Sequence, residues 1–276
     1  MCEWNRDHPN DRVHYFGFDN QQPEEDGLPL MAFLERAGIA ADHPWMEGIR
    51  VCEGVTVLHV GSHNTPERHN QCLRALSAID AHFQRNGADL QRRTSAQDFA
   101  LAKLHLVGLR AWEVAAFAPG YNFQTRFAAR DEAMAYTIRT LRAMRFPKAR
   151  TAVWAANVHV ARSRSLPGGE RPMGGFLAAS LGARNYVSLG LVAYVGELQF
   201  PGVGCGPIPL ATPSIEEQLH RLGEEYLLVD MKRDTYLKRR VYNMLMFRFN
   251  PHKDFNSVFF LEHAAKMTPT WWAPCE

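Results

Sequence analysis

The stretch from Tyr121 to Tyr194 constrains the fold of this chain more than any other. Residues 125–146 carry apolar side chains at helical spacing, with Phe127, Met134, Ile138 and Leu141 on one stripe. Asp131 falls on that same stripe. A carboxylate among core-facing positions is costly to bury unless something pairs with it. Its neighbour Arg130 cannot share its face on a regular helix, so the partner must come from elsewhere in the fold. Pro147 ends the helix, and Thr151–Ala156 (TAVWAA) reads as a short, buried parallel strand. The strand runs into Asn157-Val158-His159, which puts Asn157 and His159 on one face at its carboxyl end. Open α/β sheets take their ligands at that end. Arg162 and Arg164 follow, then a glycine-rich loop through Pro172, a helix opening at about Gly174, and a strand over Asn185–Ala193.

The flanking segments supply further elements. Met1–His8 reads as a tail, and Val13–Phe18 alternates at period two as a strand. Asp19 at the end of that strand is either a site residue or a cap. Leu28–Ala37 reads as a short helix, and residues from Gly38 to about Gly61 as loop, with a brief apolar run at Val55–Val60. Thr65-Pro66 opens a helix that continues through Arg85. A second long helix covers Thr94–Phe117, with Leu101, Leu104, Gly108, Trp112 and Ala115 on one face. These two and the 125–146 helix form an antiparallel cluster.

Downstream, Gly196–Pro213 reads as an irregular loop. Ser214–Leu222 has a capped helix start, Tyr226–Met231 is a strand, Tyr236–Met246 a helix, and Ser257–Glu262 a last strand. Trp271 and Trp272 read as packing residues. There are no internal repeats and no low-complexity segment, and 276 residues suffice for one large domain or two small ones.

Composition excludes several classes. A net charge of +2 favours neither nucleic acid nor an anionic membrane. No apolar run has the length of a membrane span. The five cysteines are scattered, odd in number and without a C-x-x-C pair. They argue against a disulfide framework or a thiolate zinc site, and for a reducing cytoplasm. His59, His63 and His69 have a turn among them and no third ligand at metal spacing, so they read as surface or capping histidines and no metal site is expected. His105 reads as a satisfied core histidine.

The polar residues at the strand ends suggest acid–base chemistry. An unperturbed imidazole lies close enough to neutrality for His159 to serve as acid, base or oxyanion donor. Asn157 can orient it or donate to an oxyanion. Arg130 and Arg162 can place positive charge in the same cleft, and Asp131 can orient a histidine or an arginine. The plainer reading is that Asn157 and His159 only satisfy buried backbone. No G-x-S-x-G elbow, phosphate-binding loop or strand-linked dinucleotide fingerprint is present.

The combined pattern of Arg130-Asp131-x-x-Met134-Ala135, Trp154-Ala155-x-Asn157-x-His159, Pro172-Met173-Gly174 and Tyr186-x-x-x-Gly190 resembles the erythromycin esterase family. Val13–Asp19 (VHYFGFD) resembles an internal strand of that family, and SVFFLE its last strand. In two places the chain departs from the family pattern. Ala156 stands where the family has the first histidine of its strand-end motif, and no G-E-x-x-H-G motif, which supplies a water-activating histidine, occurs. The resemblance implies a single domain over residues 1–276, an α/β fold with a mostly parallel sheet and a large helical layer, lacking the family's amino-terminal portion. It also implies hydrolysis of a macrolactone or related carboxylic ester by water, without a cofactor. His159, Arg130 and Asp131 are then the catalytic candidates, and Asn157, Arg162 and Asp19 the substrate-binding ones. The alternative it leaves is a catalytically incomplete fragment. Such a fragment would act as a scaffold or as half of a split enzyme, docking to a separate amino-terminal chain or to itself.

Overall fold

The structure is a computed structural model. It describes residues 1–19, 23–53, 65–117, 123–163, 170–200, 204–207, 213–237, 242–244 and 247–264. The apolar run at Val55–Val60, His59, His63, Arg164, the glycines of the loop at 168–169 and Trp271-Trp272 lie outside the described residues.

Helices dominate. After α1 (Cys2–Asp7) come α2 (Glu24–Arg36), α3 (Pro44–Glu53), α4 (Pro66–Arg93), α5 (Ala96–Phe117) and α6 (Phe123–Arg145). Thr65 caps α4, its Oγ1 accepting from the Arg68 amide, with Pro66 in the first turn as expected. α5 packs between α4 and α6, and α2 and α3 complete the layer. Their core includes Leu30, Phe33, Ile49, Leu76, Ile79 and Leu109, none more than 2% exposed.

The presence of α3 corrects the loop expected from Gly38 onward. Met46, Ile49 and Cys52 are buried at helical spacing. Gly48 marks a close helix contact rather than a break, since a Cβ there would meet the Ala75 Cβ at 2.1 Å. The cysteine expectation is corrected too: a disulfide joins Cys52 of α3 to Cys72 of α4. Scatter along the sequence concealed a pair that helix packing brings together.

The main sheet is smaller and less parallel than expected. Among the described residues it contains β1 (Leu189–Val195), β4 (Tyr226–Asp230) and β7 (Ser257–His263) in the order β1-β7-β4. β1 runs parallel to β7 and β4 antiparallel to it, so the sheet is mixed. Two antiparallel pairs lie apart from it. β2 (Glu197–Phe200) and β3 (Gly204–Pro207) form a hairpin inside the expected loop, and β5 (Tyr242–Met244) pairs with β6 (Phe247–Phe249) where a helix was expected. Ladder hydrogen bonds overrode local propensity in both cases.

Val13–Phe18 and Thr151–Ala156 carry no strand ladder. Thr151–Ala156 was expected to be buried, yet Trp154 is 88% exposed. The edge of β1 is instead satisfied by a side chain. Asn157 Nδ2 donates to the Leu191 carbonyl at 2.6 Å, and its Oδ1 accepts from the Leu191 amide at 2.9 Å.

Short helices α7 (Asn157–Val160), α8 (Met173–Leu181), α9 (Ile215–His220) and α10 (Pro251–Asp254) lie around the sheet. With α6 they share the second core, in which Met134, Val158, Met173, Val192, Phe255 and Phe260 are buried. Gly190, Val192, Val258 and Phe260 point into that core from the sheet. The residues that alternate with them on β1 and β4, including Leu189, Leu191, Tyr226 and Leu228, are exposed.

Candidate active site

The carboxylate that the helical stripe of α6 places in the core finds two partners. Asp131 is fully buried, and its Oδ1 accepts from His159 Nδ1 at 2.6 Å. Its Oδ2 accepts from the Met173 amide at 2.8 Å. That amide belongs to the first turn of α8, whose unsatisfied N–H groups and dipole favour a negative charge. With a carboxylate at Asp131 accepting both bonds, the hydrogen of a neutral His159 sits on Nδ1 and Nε2 keeps a lone pair.

His159 sits on α7, 6% exposed, in a turn that ends in an exchange of backbone contacts with the sheet layer. The Val160 carbonyl accepts from Tyr186 Oη at 2.8 Å and from Ser188 Oγ at 2.6 Å. Phe127, one turn before Asp131 on α6, stacks on the imidazole with ring centroids 5.3 Å apart and planes within 10°. The ring is therefore held by Asp131 at one edge and by Phe127 across one face.

Arg130 closes the constellation. Its Nη1 lies 3.5 Å from His159 Nε2. Its Nε and Nη2 donate to the two oxygens of Asp19 at 2.8 and 2.6 Å. These contacts engage three of the five N–H groups a guanidinium carries. With His159 neutral, the four side chains sum to one negative charge, and uptake of one proton by the imidazole makes the cluster neutral.

The structure thus brings together Asp19, Arg130, Asp131 and His159, and separates Asn157 and Arg162 from them. Asn157 is occupied by the β1 edge. Arg162 turns away to the start of β7, where Nη2 donates to the Phe255 carbonyl at 2.7 Å and its amide to the Asp254 carbonyl at 2.9 Å. The Met173 amide and the Phe127 stack went unread in the sequence as site features, although the helix-opening Pro172-Met173 was a usable signal for an anion partner.

Other histidines are paired as well. His69, expected at the surface, is bonded through Nδ1 to the buried Glu113 at 2.7 Å, and His105 to Asp26 at 2.9 Å. Burial pushes both carboxyls up, with the histidine contacts opposing the shift. Among the described residues no group of three or more His, Cys, Asp and Glu is placed to hold a metal ion. No described helix is long and apolar enough to cross a membrane.

The sequence model of the erythromycin esterase family matches residues 1–261. The chain belongs to the erythromycin esterase family. No curated protein matches it. Among solved structures, a Bacillus cereus protein shares the fold with a TM-score of 0.73 at 17% identity, over 95% of this chain and 70% of its own. A succinoglycan biosynthesis protein gives 0.72 at 14% identity, over 95% and 68%. A mutant of the erythromycin esterase EreC in its open conformation gives 0.69 at 14% identity, over 96% and 72%. At these identities the likeness is one of fold. The mixed, mainly helical architecture is therefore that of the family.

Proposed function

We propose that this member of the erythromycin esterase family hydrolyses a carboxylic ester, with a macrolactone as the leading substrate class. The observation that carries the reading is the continuous contact from Met173 through Asp131 and His159 to Arg130 and Asp19. A water oxygen attacks the ester carbonyl carbon as His159 Nε2 takes its proton. The guanidinium of Arg130, beside Nε2, carries the charge that develops on the carbonyl oxygen. The carbon–oxygen bond to the alcohol then breaks, and the departing alkoxide takes the proton back from His159. Asp131 keeps the imidazole in the Nδ1–H tautomer throughout, as the aspartate of a serine-protease triad does.

The test is hydrolysis of erythromycin and of 4-nitrophenyl acetate by the wild type and by His159→Asn, followed by mass spectrometry and absorbance. Ring opening by the wild type and its loss in the variant support the reading. Equal turnover by the two removes His159 from the mechanism, and no turnover of either ester by the wild type sinks the reading.

The outer face of the sheet favours a second reading. Leu228 is 69% exposed, Tyr226 59% and Leu189 51%, large apolar side chains on one face of the sheet. We propose that a further polypeptide layer covers this face in the working protein, which would then be a scaffold or one part of a divided enzyme. Sedimentation decides it: association or assembly that Leu228→Lys weakens supports the layer, and a clean monomer with full hydrolytic activity rejects it.

A further inference from the structure

Hydrolysis of an ester leaves a carboxylate where the ester carbonyl stood, beside Arg130 in the mechanism above. A guanidinium binds a carboxylate best through two parallel N–H donors. In this structure one such pair, Nε and Nη2 of Arg130, is already filled by the carboxylate of Asp19 at 2.8 and 2.6 Å. The pair is not a buried core element: the Asp19 and Arg130 side chains are 38% and 21% exposed.

The segment that brings Asp19 there is mostly exposed. Residues 12–19 belong to no strand, and Val13, Tyr15 and Phe16 are exposed. His14 and Phe16 meet Phe146, just past the end of α6, at 4.7 and 5.4 Å, while the partly buried Phe18 packs against the second core.

We propose that Asp19 is an internal mimic of the product carboxylate. It occupies the bidentate edge of Arg130, leaves the guanidinium's remaining N–H groups for the oxyanion, and so keeps the carboxylic acid product from lodging against the cation. The inference rests on the hydrolase reading for the origin of the competing carboxylate. It predicts a carboxylate-binding site that is latent in the wild type and opens when Asp19 loses its charge.

The experiment is titration of wild type, Asp19→Ala and Asp19→Asn with sodium benzoate, against sodium chloride at equal ionic strength, read by thermal unfolding. Asp19→Asn keeps the side-chain size and serves if Asp19→Ala folds poorly. Benzoate should stabilise the neutral variants with half-saturation of roughly millimolar, at least about tenfold below any response of the wild type. Replacing Arg130 by Gln in the Asp19→Ala background should abolish the effect. In the hydrolysis assay the same variants should show benzoate inhibition that the wild type lacks. An identical benzoate response in wild type and variants, or none in any, overturns the proposal. The thermal readout needs no turnover. Failure of hydrolysis with benzoate binding intact would therefore count against the esterase reading alone, and the reverse result against the mimicry alone.

Discussion

Asp131 Oδ1 and His159 Nδ1 lie 2.6 Å apart, and the contact sets which nitrogen of the imidazole faces Arg130. Asp131→Asn tests the consequence. The amide oxygen can keep accepting from the Met173 amide, but the amide nitrogen then donates to His159 and pushes its hydrogen to Nε2. That hydrogen would point at the donors of Arg130. Turnover should fall by about three to four orders of magnitude, as for the analogous change in a serine-protease triad. Steady-state kinetics give the loss, and nitrogen-15 chemical shifts of His159 report the tautomer.

Gly174 allows α8 to approach α7. A Cβ at this position would lie 2.4 Å from the Val160 carbonyl oxygen and 2.5 Å from that of Ala161. Backbone acceptors cannot move aside as a flexible side chain can, so Gly174→Ala should cost about 1–3 kcal/mol in urea unfolding. Any retreat of α8 also withdraws the Met173 amide from Asp131. Activity should therefore drop along with stability.

The Cys52–Cys72 bond closes a loop with a sequence separation of 20 between two buried residues. Restriction of the unfolded chain by a loop of this size contributes about 3 kcal/mol. Dithiothreitol, or Cys52→Ser, should lower the unfolding midpoint accordingly. Thiol titration of the unreduced, denatured chain should find two fewer thiols than after reduction. Full thiol reactivity before reduction would refute the bond.

Burial pushes the Glu216 carboxyl up to about 7, against the opposing hydrogen bonds of its own backbone and Ser214. The folded protein then keeps its proton between an unfolded value near 4.5 and about 7, while the unfolded chain has lost it. Stability falls as pH rises through that window and levels off above it. Glu216→Gln should remove this slope. The variant should match the wild type near pH 4 and exceed it by about 3 kcal/mol at pH 8 in denaturant titrations. Parallel curves for the two proteins would reject the assignment.

Part of the Asp19–Arg130–Asp131–His159 cluster was legible in the sequence because it rests on local periodicity. The stripe of α6 put Asp131 among core residues and demanded a partner, and the strand-end pattern nominated His159. Capping chemistry likewise located the starts of α4 and α9, where Thr65 and Ser214 accept from backbone amides as expected. Those signals need only residues within a turn or two of one another.

What the sequence alone determined is therefore the long helices α4, α5 and α6, the family pattern and a set of six polar candidates, four of which meet in the structure. Tertiary structure decided which of the polar candidates reach it. Asn157 and His159 are two positions apart, yet one satisfies the edge of β1 and the other turns to Asp131, because Asn157 begins a helix instead of prolonging a strand. Arg162 was drawn to the Phe255 carbonyl, ninety-three positions away. The mixed sheet and the Cys52–Cys72 bond were equally unreadable. Ladder pairing and helix contacts join residues distant in sequence, and their free energy depends on which groups remain unsatisfied once the whole chain has packed.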